Sequence, residues 1–383
     1  MTDRYDVIVV GVGTMGSSAC RELARRGARV LGLEQFDIPH AMGAHHGHSR
    51  MIRLAYFEHP HYVTLLKRAY ELWDQIGQHS GQELLTRTGG LYMGRVDGGL
   101  VGGSLQAAQE HGLDHELLDR AALDRLHPYF RLPDDFVAMV EPQAGFVAPQ
   151  RSVAVFAAEA LAYGAELHGR EPVLDFSEDG SGGVTVRTGL GRYRSDQVIF
   201  CGGAWTNLLV GGIGVALTVT RQVMGWVWPR DPGRFTLGRF PVWAIDPCGP
   251  GDFRGIYYGF PMLTHNPGFK IALHHPSTPT DPTTVERDPI EGDEQQFRPA
   301  LQQYIPDADG PLLAVRVCLY TNSPDGHFII DRHPQYERVI VACGFSGHGF
   351  KFAPVVGQVL ADIALQGKSE LPVEFLGLSR FGG

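Results

Sequence analysis

Three glycines, Gly11, Gly13 and Gly16, directly follow the apolar run Tyr5 to Val10 and open an amphipathic stretch that ends near Gly27. The order predicts a strand, a tight turn and a helix. The first glycine permits the turn, the second lets backbone approach a diphosphate, and the third lets the helix pack closely on its strand. The helix start then offers unpaired N–H groups and a positive dipole to an anion. A second apolar run, Arg29 to Leu33, ends in Glu34. That is close to the roughly twenty-residue offset at which an acid meets the ribose hydroxyls of an adenine dinucleotide. An acid there disfavours a phosphorylated ribose, so NADP is set aside and NAD or FAD remain. An ordinary glycine-rich turn is the competing explanation, but strand, turn, helix, strand and acid all occur in order.

At 383 residues the chain exceeds one typical core, and about two domains are expected. A formal net charge of -9 disfavours a nucleic-acid partner, and no Lys/Arg block suits a polybasic membrane anchor. Met1 to Arg4 lead straight into the first strand, so no signal peptide is expected. No apolar run approaches the roughly eighteen residues of a membrane span, which makes a cytoplasmic protein the expectation. The five cysteines form no CxxC pair and fit neither a zinc cluster nor a disulfide framework. His45, His46 and His48 invite a metal reading, but no carboxylate or cysteine spacing accompanies them, and no metal is expected.

Further along, Tyr62 to Ile76 has helical periodicity, the glycines from Gly98 to Gly103 punctuate short strands, Leu117 to Leu126 reads as helix, and Arg151 to Tyr163 as another helix. Two alternating patterns flank Asp179-Gly180, and Gln197 to Phe200 is a buried strand leading into Cys201-Gly202-Gly203-Ala204-Trp205. Ala216 to His275 is strand-like and aromatic, Pro276 to Pro289 a loop, and Glu294 to Tyr304 a short helix. Arg338 to Ala342 is again a buried strand, and Pro354 to Leu365 a closing helix. Nucleotide-binding pieces thus lie at the start, middle and end of the chain, an interleaving uncommon for a simple NAD dehydrogenase.

The glycine turn with Glu34, the run His45 to Arg53, the run Cys318 to Asp325 and the run Gly344 to Phe352 together resemble the monomeric sarcosine oxidase and N-methyltryptophan oxidase family. These are FAD amine oxidases of the D-amino-acid-oxidase superfamily. The resemblance implies an α/β protein in which an FAD-binding, Rossmann-like domain of the glutathione-reductase type (1–80, 150–215 and 315–383) is interleaved with an α+β substrate domain (81–149 and 216–314) built on a mainly antiparallel sheet. It implies FAD joined covalently through the sulfur of Cys318, for which a merely packed strand cysteine is the alternative. Gly11, Gly13, Gly16, Glu34, Gly347 and Gly349 are implied cofactor contacts.

Arg53 and Lys351 match the family's cations for a substrate carboxylate, suited to that task as a planar fork and a point charge. Lys270 is implied to assist oxygen reduction, since a fixed ammonium stabilises developing superoxide and peroxide. Strand alternation puts Lys270, Ala272 and His274 on one face. His274 and Tyr258 match pocket residues, His46 and Arg50 match residues near the flavin ring, and Tyr320 is placed beside the ring. The loop Met262 to Phe269 is expected to border the substrate entrance. The implied activity is oxidation of a secondary, N-methyl or cyclic, α-amino acid to an imine, with O2 reduced to H2O2 by a monomer. A dehydrogenase with another acceptor, a desaturase of a cyclic imino acid and a non-catalytic dinucleotide-binding module remain alternatives.

Overall fold

The computed structural model describes residues 4–179, 182–249, 255–266, 268–275 and 277–382. Met1 to Asp3, Gly180 of the expected turn, Pro267 of the expected entrance loop and Pro276 lie outside the described residues.

The first strand, Arg4–Val10, pairs in parallel with Val30–Leu33 on one side and Arg192–Phe200 on the other. Val30–Leu33 pairs in turn with Glu166–His168. Arg192–Phe200 divides its free edge. Its first half takes the antiparallel strand Gly183–Thr188, and its last three residues pair in parallel with Tyr336–Cys343, from Val198 opposite Val339. The central strands are apolar on both faces, as expected of a parallel sheet covered by helices. The helix Thr14–Arg25 packs against Pro149–Ala162 and the closing helix Ala353–Gln366, and all three feed one apolar core with Val7, Val9 and Ile340.

A second eight-stranded sheet runs in the order Leu312–Asn322, Thr218–Val227, Phe269–His274, Ile256–Phe260, Val242–Ile245, Gly90–Arg95, Phe136–Glu141, Glu116–Leu118. Its pairings are antiparallel except between Gly90–Arg95 and Val242–Ile245. The chain is therefore an α/β protein of two large interleaved sheets, one mainly parallel at its centre and one mainly antiparallel, with a small antiparallel sheet of Arg50–Ile52, Gly145–Val147 and Leu85–Arg87 beside them.

Two expectations are corrected. The glycines of 98–103 do not separate strands but begin the helix Gly99–His111. Their use is close approach: a Cβ on Gly103 would stand 2.6 Å from that of Phe57. Leu117 to Leu126 is not one helix. Glu116–Leu118 extends the second sheet, and Asp119 caps a new helix, Arg120–Leu126, by accepting the Ala122 N–H at 2.8 Å. The expected domain boundary between 314 and 315 lies within one strand, Leu312–Asn322. That strand is paired along its length with Thr218–Val227, so Cys318 and Tyr320 belong to the second sheet.

Candidate active site

The glycine turn is built as its sequence requires. Gly11 sits at φ 89°, in the left-handed region, and a Cβ there would approach the Cys201 carbonyl oxygen to 2.5 Å. A Cβ on Gly16 would lie 1.8 Å from the Gly11 oxygen, so the helix meets the turn at a distance only glycine allows. Gly13 is the N-cap residue of Thr14–Arg25. Glu34, 4% exposed, directly follows the second strand and anchors the turn, its Oε2 accepting the Val12 N–H at 2.8 Å.

Gly11, Gly13 and Glu34, but not Gly16, which is packed against Gly11 and Val9, line a cavity of about 1240 Å³, open space at its mouth included. Its remaining walls come from the segment 201–205 and from Leu319 to Thr321 and Gly344 to Gly347. The N-terminus of the helix points an anion-binding end at it. His45 lines it with a buried Nε2 that has no hydrogen-bond partner. Burial, reinforced by His40 and His46, lowers the His45 pKa to about 3, so its ring is neutral. The glycine cradle, the acid at the strand end and this orphaned nitrogen suit an adenine dinucleotide.

A second cavity, of about 770 Å³ to its mouth, shares Arg50, Tyr320, Gly347 and Phe350 with the first. Arg53, Tyr258, His274, Cys318 and Lys351 all line it. Tyr320 shares a hydrogen bond with Tyr258 and has its hydroxyl 3.4 Å from His274 Nδ1. The burial of His274 lowers its pKa to about 4.

Two cations occupy one end of this cavity. The guanidinium of Arg53, 7% exposed, lies 4.4 Å from the Tyr56 ring centre and donates to the Ala55 carbonyl at 2.5 Å and to both Glu58 oxygens at 3.1 and 3.2 Å. Lys351, 6% exposed, donates to the His348 carbonyl at 2.9 Å and to Tyr56 Oη at 3.5 Å. The orientation of this network follows from one bond. His348 Nε2 lies 2.9 Å from the Gly326 carbonyl, which only accepts, so Nε2 carries the proton. Nδ1 of the neutral ring then accepts the Tyr56 hydroxyl at 2.5 Å, which turns the Tyr56 lone pairs to Lys351. Two ammonium protons are thereby fixed on neutral acceptors. Burial, then the charge of Arg53, lowers the Lys351 pKa to about 7.

Not every expected residue lines these cavities. Lys270, 2% exposed, lines neither; its Nζ donates to the Gly47 and Ser49 carbonyls at 2.8 and 2.7 Å and to Ser49 Oγ at 3.2 Å. Burial and the charge of Arg50 push its pKa well down, while three acceptors for three N–H groups favour the ammonium. Arg50 donates to the Ser49 and Ala44 carbonyls at 2.9 and 2.7 Å. His46 lines neither cavity. It bonds instead to the backbone of Val317, and burial, then Arg50, lowers its pKa to about 3. Of the loop 262–269, no described residue lines either cavity, because Met262 and Leu263 turn into the core. Gly349 lines the first cavity and Gly347 both. Cys318 is buried, which raises its thiol pKa against the pull of Arg50 and Lys270. Among the described residues no cluster of three or more His, Cys, Asp or Glu could hold a metal ion, and no helix is long and apolar enough to cross a membrane.

Sequence reasoning missed Tyr56, Glu58, His348 and Glu141. The buried Glu141 carboxylate accepts the N–H groups of Leu54 and Ala55 at 2.6 and 3.3 Å and the Tyr92 hydroxyl at 2.8 Å, fixing the loop behind Arg53. Glu58 lies five residues beyond Arg53 and His348 three before Lys351, spacings that could have flagged both.

Comparison with known proteins follows the same lines. The model of the FAD dependent oxidoreductase (DAO) family matches residues 6–363. The chain is 42% identical over 377 residues to a monomeric sarcosine oxidase of Streptomyces avermitilis, covering 97% of each. It is 34% identical over 382 residues to an N-methyl-L-tryptophan oxidase of Salmonella arizonae, covering 99% of each. The solved structure of the amino acid oxidase NikD shares the fold, with a TM-score of 0.84 at 24% identity over 98% of each chain.

Proposed function

Because this chain belongs to the FAD dependent oxidoreductase (DAO) family, we propose that it oxidises a secondary α-amino acid, N-methylated or cyclic, to an imine that hydrolyses, with oxygen as the final acceptor. The observation that carries this reading is the pair of buried cations, Arg53 and Lys351, in a cavity that shares four lining residues with the dinucleotide cavity. When bound, FAD supplies the two-electron acceptor for the C–N bond, and its return to the oxidised form by oxygen gives hydrogen peroxide. In this reading the FAD-binding part comprises 4–80, 150–215 and the chain beyond Asn322, and the substrate-binding part comprises 81–149 and 216–322.

The residues of the chain then divide the work. Gly11, Gly13, Glu34, Gly347 and Gly349 receive the cofactor, Gly16 acts by letting the helix close on the turn, and Arg50 and His46 are charged or polar neighbours of the cofactor's ring end. Arg53 and Lys351 hold the substrate carboxylate. Their charge disfavours a protonated amine nearby, and only the neutral amine has the lone pair that oxidation needs. Tyr258, Tyr320 and His274 orient the amine end, and the neutral His274 adds no further positive charge. Lys270 stabilises the anions formed as oxygen is reduced. Oxygen uptake and peroxide release with a panel of N-methyl and cyclic amino acids test the reading. Turnover with an artificial electron acceptor but none with oxygen would replace it by a dehydrogenase.

Cys318 lines the second cavity beside Arg50 and Tyr320, a position from which its sulfur would carry the flavin as a thioether. Acid-precipitated protein is therefore expected to keep its yellow colour in the pellet, and Cys318→Ala to release it to the supernatant. Colour in the supernatant of the unaltered protein would limit the cofactor to non-covalent binding.

The position of Lys351 gives a pH dependence. With a pKa near 7 in the free protein, it is charged below that pH and neutral above it. Acetate has no amine to titrate, and it is ionised throughout pH 6 to 9. Its binding to the flavin-loaded protein, followed by absorbance, is expected to weaken about tenfold as pH rises through 7, the loss of one charge-assisted hydrogen bond. His274 and His348, with pKa values near 4 and 3, stay neutral over that window. A flat or rising affinity would remove Lys351 from the carboxylate site.

A further inference from the structure

The second cavity has three kinds of wall. One end carries Arg53 and Lys351, and another carries Tyr258, Tyr320 and His274. The third flank is formed by Met51, Phe57, Leu100, Ala244 and Ile256. These five side chains belong to a single apolar cluster, continuous with the core between the helix Gly99–His111 and the second sheet. Leu100, Ala244 and Ile256 are at most 7% exposed, so the flank is rigidly backed rather than a loose surface.

Among the described residues lining this cavity the one acidic side chain, Glu58, is already engaged, both oxygens accepting from Arg53 Nη2. A substrate group with its own charge or hydrogen-bonding need would lie on the flank desolvated and without a partner. A substrate with no side chain, such as N-methylglycine, would leave the flank to water.

We propose that the substrate of this site is a secondary α-amino acid with an apolar side chain several carbons long, held with its carboxylate on Arg53 and Lys351 and its side chain against the flank centred on Ala244. The proposal rests on the oxidase reading given above. Ala244 has the smallest side chain of the flank and shares its cluster with Leu100 and Ile256, so a larger residue at this lining position would take up room in the cavity.

The test is a series of substrates with the flavin-loaded protein: sarcosine, N-methylalanine, N-methylnorvaline, N-methylleucine and, as the charged counterpart, N-methylaspartate. Burial of each added methylene against such a wall favours the transition-state complex by about fourfold, so kcat/KM is expected to rise about two orders of magnitude from sarcosine to N-methylleucine. N-methylaspartate should fall below sarcosine. Ala244→Leu should lower the N-methylleucine to sarcosine ratio at least tenfold, and Ala244→Val, a smaller intrusion, should lower it by less. Flavin content and the flavin spectrum identify any variant that misfolds, and the substrate series with unaltered protein stands without either variant.

If sarcosine is oxidised as well as or better than N-methylleucine, the apolar-side-chain proposal is overturned while the oxidase reading stands. If none of the series bleaches the flavin in the absence of oxygen, the oxidase reading itself fails. A preference for N-methylaspartate would overturn the proposal by showing that the flank accepts charge.

Discussion

Lys270→Met is expected to slow the reaction of the substrate-reduced protein with oxygen by two to three orders of magnitude, the cost of removing one preorganised charge from a water-excluded site. The ammonium is held by the Gly47 and Ser49 carbonyls, one on each side of His48, and it lies 4.5 Å from the Phe260 ring centre. Those carbonyls fix its place beside Arg50 without neutralising it, and none of the ion pairs among the described residues gives it a carboxylate. Such a charge has most to offer where new negative charge appears, which in the proposed cycle is oxygen reduction. Stopped-flow measurement separates the two halves of the cycle. Loss confined to reoxidation supports the assignment; equal loss of anaerobic reduction by the amine would show instead that Lys270 only holds the Gly47–Ser49 loop.

The second large effect is expected at Arg53. Arg53→Met should lower kcat/KM for an N-methyl amino acid about a thousandfold, since truncating one partner of a buried charge pair costs about 2 to 5 kcal/mol. Arg53→Lys should recover little, because a point charge cannot replace a fork already braced on Ala55 and Glu58. A secondary amine without a carboxylate, such as N-methylpropylamine, is the control. Its oxidation, slow in the unaltered protein, should change far less in the variant. Equal loss with both amines would mean that Arg53 supports the pocket through the Tyr56 and Phe57 rings, which its guanidinium overlies at 4.4 and 4.7 Å, and does not bind the carboxylate.

What could be read from the sequence follows the range of the interactions involved. The turn at Gly11 to Gly16 is local, since its strand, its glycines and its helix lie within about twenty residues, and its geometry is dictated by backbone sterics. Glu34 is reachable by the same counting. Arg53, Lys270, Cys318 and Lys351 carry no such local signature, and only the family resemblance singled them out. The second cavity gathers residues from the strands Arg50–Ile52, Val242–Ile245, Ile256–Phe260 and Leu312–Asn322. No periodicity announces that convergence. The clearest case is Glu141, whose carboxylate meets Leu54 and Ala55 across 87 and 86 residues of sequence. Lys270 shows the opposite limit: alternation correctly gave it one face with His274, but whether its ammonium enters the cavity depends on a loop more than two hundred residues earlier.

The first cavity has a consequence for folding as well as for catalysis. Its glycine cradle comes from the first sheet, whereas Leu319, Tyr320 and Thr321 come from an edge strand of the second. A molecule filling it would touch both halves and neither half alone could offer the complete site. Its binding energy would then favour only the state in which both sheets are formed and docked, coupling the stability of one to that of the other. The protein without cofactor should lose that coupling before it loses either sheet, so loading would act as the final step of assembly, and degradation of unloaded chains would begin where the two halves part.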